Sequence, residues 1–295
     1  MKKLTLRDFA NLRNLVCRGA RPLEYTMWKC VFENGGREEF LSVLSSYQNS
    51  DGGFGHNLEA NNWNPNSSPS ITQYAIHQLA RAHITLDKNH PIIEGIVKYL
   101  SSGEHMTDDG WIVGIPTNND YSHPPWFHYD EETSAADAGL TRDLANFIIE
   151  YADIGSEIYQ IAIALIEKHK IENEPPVPDF SDYDPKEFEP WKMSPARFAP
   201  SPDRAHYPAL KDAIDIELDA IVYRLQNTYE LPVMHEEELR QWERNVPRKD
   251  GAAWNDNEQI IGSYYWAASD FISQIETLKT FSRLDFDLPV NCERE

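Results

Sequence analysis

The chain has 295 residues, 41% of them hydrophobic, enough to bury a large core in one big domain or two small ones. Its formal net charge is −21, with acids spread along the length rather than gathered in one tail. Such a surface repels phosphate backbones and anionic headgroups, which excludes nucleic acid and membrane surfaces as principal partners.

Cys17, Cys30 and Cys292 are too few and too scattered for a disulfide framework or a zinc cluster, so neither a metal nor a cofactor is expected and the setting reads as a reduced cytoplasm. The start, "MKKLTLRDFANLRNLVCRGA", has no apolar core of signal-peptide length, because Arg7, Asp8 and Arg13 interrupt it. No apolar run approaches the ~20 residues that span a bilayer, so stable membrane insertion is not expected.

Residues 37–48, "REEFLSVLSSYQ", put Phe40, Leu41, Leu44 and Tyr47 on one helical stripe before the chain breaks at "NSDGGFG". Helical spacing resumes over 68–84, with Ile71, Ala75, Leu79 and Ala82. It returns over 91–102, where Pro91 opens a stripe of Ile92, Ile93, Ile96, Val97 and Leu100. "DDGW" follows at 108–111, then a long aromatic loop, then a helix within 131–154 with Thr133 or Ser134 near its entry. Segment 172–206 is rich in proline and acids and cannot be a long helix, yet Phe180, Tyr183, Phe188, Trp191 and Phe198 argue for an ordered excursion across the body. A third copy places "LKDAIDIELDAIVYRLQ" before "DGAAW" at 250–254 and a last helix over 260–281. Helix, turn with glycine and aromatic, helix: the pattern recurs, strand alternation is missing, and the fold class expected is all-α in a single domain over 1–295.

"FLSVLSSYQNSDGGFG" resembles the glutamine-and-aromatic repeat of the terpenoid cyclase and protein prenyltransferase superfamily, with Gln48 in the glutamine place and Phe54 in the aromatic place. "DGGFGHNLEANNWNPNSSP" is similar to a signature of a bacterial branch of that superfamily, and this likeness carries a fold and no established reaction. The resemblance implies an α/α toroid, an inner and an outer ring of helices around a central cavity. The turns at 108–111 and 250–254 match the repeat in part, with Gly and Trp but no well-placed Gln. The superfamily's chemistry transfers poorly. Zinc-dependent prenyl transfer needs a cysteine in a cavity turn, and the acid motif D-x-D-D and the magnesium motif D-D-x-x-D are both missing.

What the toroid implies for the loop after Phe54 is a place on the cavity wall. Glu59 is the leading acid-base candidate, with His56 orienting it, and Trp63, Asn62 and Asn64 as ligand contacts. Gln48, Asp51 and Phe54 read as structural. Asp120 with His123, and Glu132 beside Asp130, form further acid-base candidates. Trp111, Tyr121, Trp126, Phe127 and Trp254 complete an aromatic wall suited to a carbocation or to a stacked sugar ring. The expected function is acid-base chemistry on an isoprenoid-like or largely apolar small molecule in that cavity. A carbohydrate-active enzyme on a similar barrel and a non-catalytic scaffold are the alternatives.

Overall fold

The computed structural model describes residues 1–169, 211–228 and 256–288. Among them nine α-helices carry nearly all the regular structure. These are α1 (Leu6–Gly19), α2 (Pro22–Phe32), α3 (Arg37–Ser45), α4 (Pro69–Arg81), α5 (Pro91–Ser101), α6 (Ala138–Tyr151), α7 (Glu157–Lys168), α8 (Lys211–Gln226) and α9 (Asp256–Thr280). Strands β1 (Met106–Thr107) and β2 (Gly110–Trp111) form a minimal antiparallel hairpin. The class is therefore mostly helical, as the periodicity requires. The excursion expected at 172–206 and the turn at 250–254 with Trp254 lie outside the described residues.

Helix starts follow local chemistry. Thr5 and Asp8 form a reciprocal capping box on α1, and Pro22, Pro69 and Pro91 open α2, α4 and α5 where their missing N–H has no helical partner to lose. Ser68 caps α4 by accepting from the Ile71 N–H at 3.2 Å. One start differs from the sequence expectation. The Asp130 carboxylate collects the N–H groups of Glu132 and Thr133 into a turn, so α6 begins later and is capped by Asp137, which accepts from Leu140 N–H at 2.7 Å.

The two described copies of the turn share one hydrogen-bond pattern. In the first, the N–H of buried Phe54 donates to the Thr72 hydroxyl at 3.1 Å, and Ser68, the cap of α4, donates its N–H to the Phe54 carbonyl. In the second, the N–H of buried Trp111 donates to the Thr141 hydroxyl at 3.0 Å, and Asp137, the cap of α6, donates its N–H to the Trp111 carbonyl. Both threonines stand four residues beyond the cap, so each turn docks on the first turn of the helix it leads into. Gln48 and Phe54 pair across their turn, and the Gln48 amide donates to the carbonyls of Gly52 and Ile92, tying the turn to α5 as well.

Close backbone approach explains the glycines. A Cβ on Gly52, at φ +100°, would lie 2.0 Å from the Gly95 carbonyl oxygen in α5, and one on Gly110, at φ +120°, would lie 2.1 Å from the Thr141 hydroxyl. At the other end of the chain Arg283, 2% exposed, binds Asp215 and Asp219 of α8 and the Lys2 carbonyl, joining the N-terminus, α8 and the end of α9. Three elements, α1, α2 and α7, have no counterpart in the repeat reading.

Gly52→Ala combines an unfavourable φ with a backbone collision that no side-chain rotation relieves, and is expected to cost about 3 kcal/mol or more. A chemical-denaturation curve checks this. An unchanged midpoint would mean that the turn does not rest on α5 as described.

Candidate active site

The loop from Phe54 to Ser68 is rich in asparagine, and many of its polar atoms serve its own shape. Asn64 donates to the hydroxyl of Thr117 and the side-chain oxygen of Asn118, while its own oxygen accepts from Asn66. Asn118, fully buried, donates to the Phe127 carbonyl at 2.7 Å. Asn49 binds Pro65 and Ser67, and the Asn62 oxygen accepts from the Asn64 N–H. This lattice stitches the loop to the segment containing Phe127. Expected as ligand contacts, Asn62 and Asn64 are instead buried framework residues, 1% and 2% exposed.

The lattice delivers Glu59 to a cleft of ≈ 350 Å³ between α4 and the first half of α6. Ser70, Gln73, Tyr74 and His77 line it from α4. From α6 come Gly139, Leu140 and Asp143, with Asp137 at the cap, and Val113 and Phe127 close it from the connecting loop. The volume lies in the range of small-molecule sites.

Glu59 is 4% exposed, and one of its oxygens accepts from the Asn61 N–H at 3.0 Å. Burial pushes its carboxyl up from 4.5 to about 7, against the opposing pull of that N–H and of the Arg21 charge. Burial and the neighbouring carboxylates of Glu24 and Glu59 also hold the Tyr74 phenol protonated, well above its ordinary value. On the other side Asp143 accepts from Gln73 at 2.8 Å and sits 3.2 Å from His77 Nε2, so the histidine has a carboxylate to orient it. The cleft thus holds a carboxyl that changes charge near neutrality and a carboxylate-paired imidazole.

Several sequence candidates stand elsewhere. His56 is exposed, does not line the cleft, and directs its ring to the Asn49 side chain at 2.8 Å rather than to the cleft wall. Asp120 and Glu132 are exposed, with solvated carboxylates at the ends of turns. His123 is buried, bonded to the Tyr121 carbonyl and stacked on His128 at 5.5 Å, and burial lowers its proton affinity. Among the described residues of the aromatic wall, Phe127 alone lines the cleft. Trp111 is fully buried in the core, Trp63 is half-buried, and Tyr121 and Trp126 are 37% and 52% exposed on the outside of the loop. Trp111 is drawn into the core beneath the second turn, the apolar surface nearest to it. Sequence reasoning missed Gln73, Tyr74, His77 and Asp143. The helical spacing of Gln73, Tyr74 and His77, along one side of α4, was the available signal.

Comparison of the chain with protein families, with curated proteins and with solved structures found no match in any of the three. Among the described residues no helix is long and apolar enough to cross a membrane, and no group of three or more His, Cys, Asp or Glu side chains could hold a metal ion.

The raised carboxyl makes a signed prediction. Folded protein binds a proton at Glu59 that the unfolded chain has released, so this group's contribution to stability is full below pH 4.5 and is lost as pH rises to about 7. Above pH 7 the buried charge costs on the order of 3 kcal/mol. Glu59→Gln is therefore expected to be more stable than wild type at pH 8 and to lose that advantage near pH 5, which denaturation at the two pH values measures. Equal differences at both would mean that Glu59 is not desolvated.

Proposed function

We propose that the cleft between α4 and α6 is the active site of an acid-base enzyme acting on a small, uncharged, hydroxyl-rich molecule, with Glu59 as the proton-transferring group. The observation that carries this reading is a carboxyl only 4% exposed at the wall of an open cleft, where burial pushes its pKa up to about 7. Protonated, Glu59 donates to a departing oxygen. The His77 imidazole, oriented by Asp143, accepts the proton of the attacking hydroxyl or water.

The lining favours the carbohydrate-type alternative over the isoprenoid-type one. Ser70, Gln73, Tyr74, His77 and Asp143 offer hydroxyl, amide, phenol, imidazole and carboxylate groups, a set matched to ligand hydroxyls. No lysine or arginine lines the cleft among the described residues, so a diphosphate or carboxylate ligand would meet only like charge. Among the described residues a carbocation would find two aromatic rings of Tyr and Phe type, Tyr74 and Phe127, rather than a wall.

The shared pattern of the two turns, with α4 beside α6 and α5 beside α7, supports an α/α toroid. In such a ring α4 and α6 are neighbouring inner helices, and the cleft at their first turns opens on the central cavity.

Glu59→Gln keeps the shape and removes the exchangeable proton. Screened by mass spectrometry against a library of neutral glycosides and polyols, the variant is expected to turn over the wild-type substrate 10²–10⁴-fold more slowly, with affinity within a few-fold. Undiminished turnover in the variant would overturn the assignment of Glu59, and wild-type turnover confined to isoprenoid compounds would overturn the substrate class.

A further inference from the structure

The turn that carries Glu59 into the cleft is conformationally demanding. His56 and Asn57 both adopt left-handed backbone, at φ 56° and 61°, and the Leu58 N–H bonds to the Gly55 carbonyl at 3.1 Å. This is a turn of the type I′ kind without glycine; histidine and asparagine enter the left-handed region more readily than most residues, yet two in succession carry a cost that the surroundings must offset. The Gly55 and His56 N–H groups donate to the carbonyls of Tyr47 and Asn64, and the two carbonyls before Glu59 are met by one buried side chain. Arg21, 8% exposed at the entry to α2, donates to the Asn57 carbonyl at 2.7 Å and to the Leu58 carbonyl at 3.1 Å. The rest of its guanidinium grips Glu24, itself 5% exposed, with Nε at 3.0 and 3.2 Å from the two carboxylate oxygens and Nη2 at 2.5 Å. One planar fork therefore joins α2 to the two carbonyls immediately before Glu59.

Resting on the reading of Glu59 as the acid-base group, we propose that Arg21, locked by Glu24, is a positioning residue that holds the Gly55–Leu58 turn and thereby keeps Glu59 buried at the cleft. The charged and titratable groups around Glu59 are Arg21 at the cap of α2 and Glu24 within it, Tyr74 and His77 from α4, and Asp137 at the cap of α6 and Asp143 within it. Of these, Arg21 donates to the main chain of the turn, at the Asn57 and Leu58 carbonyls. Lysine at the same place keeps the charge and has no planar fork, so it cannot grip the carboxylate and both carbonyls together.

The test follows the Glu59 carboxyl by ¹³C NMR in the full chain labelled at glutamate, with its signal identified by its loss in Glu59→Gln. In wild type the midpoint is expected near pH 7. Arg21→Lys releases the turn, exposes the carboxyl, and is expected to lower the midpoint by at least one pH unit. Glu24→Gln leaves the Arg21 charge without its counter-ion, and the nearly isosteric change is expected to lower the midpoint in the same direction by a smaller amount. It keeps the question open to refutation if Arg21→Lys does not fold. A midpoint unmoved in Glu24→Gln and in any folded Arg21→Lys, even with a reduced melting temperature, overturns the proposal. The two readings fail separately. A shifted midpoint alongside full turnover in Glu59→Gln sinks the active-site reading alone, and an unmoved midpoint alongside lost turnover in Glu59→Gln sinks the positioning role alone.

Discussion

Burying the aromatic side chain of a tight turn also buries its backbone N–H, and a buried donor without an acceptor costs more than the hydrogen bond itself contributes. The acceptor here is a threonine hydroxyl one turn into the following helix, Thr72 for Phe54 and Thr141 for Trp111. That requirement governs the rest of the structure. It sets each turn against the start of its helix and demands glycine where the turn meets a backbone or the threonine. It also puts the first turns of α4 and α6 at the same end of the molecule, where the loops converge. The second connection is longer, and its extra residues form the segment that brings Phe127 over the cleft.

Glu59 runs against the usual disposition of carboxylates, which are rarely buried unless paired. Arg21 is close, but its fork is already engaged by Glu24 and by two carbonyls, so little of its charge is left to compensate a second carboxylate. Desolvation therefore wins over Coulomb attraction, and the group keeps its proton to near neutrality. The cost falls on stability, and it is tolerable because the asparagine lattice and the buried core around Leu58 hold the loop independently of the charge. Strain at His56 and Asn57 belongs with the same arrangement, since a relaxed turn would send the following residue elsewhere.

How much of this was legible in the sequence varies by kind of signal. The helices from Pro69 and Pro91 announce themselves by a proline at the first position and an apolar stripe behind it, and the glycine turn announces itself by composition. The N-terminal helix is marked in the sequence by Thr5 and Asp8, which spell a capping box, but the charges that interrupt its apolar run weaken the stripe behind it. Glu59 stood out as an acid in a loop rich in glycine and asparagine. The cleft's other polar groups did not, because Gln73, His77 and Asp143 look like the solvated sides of two helices until those helices are placed side by side.

By itself the sequence determined where helices begin, where the chain must turn, and that Phe54 and Glu59 play different parts. All of these are decided within a few residues by hydrogen-bond supply, allowed φ and the 3.6-residue period. Only the tertiary structure decided which aromatics face inward, that Asn64 serves Asn118 across 54 positions of chain, and that the His56 ring meets Asn49. Loop side chains have no periodicity to betray their direction, and a polar group's role depends on which partner reaches it first, a fact that exists only once distant segments have met.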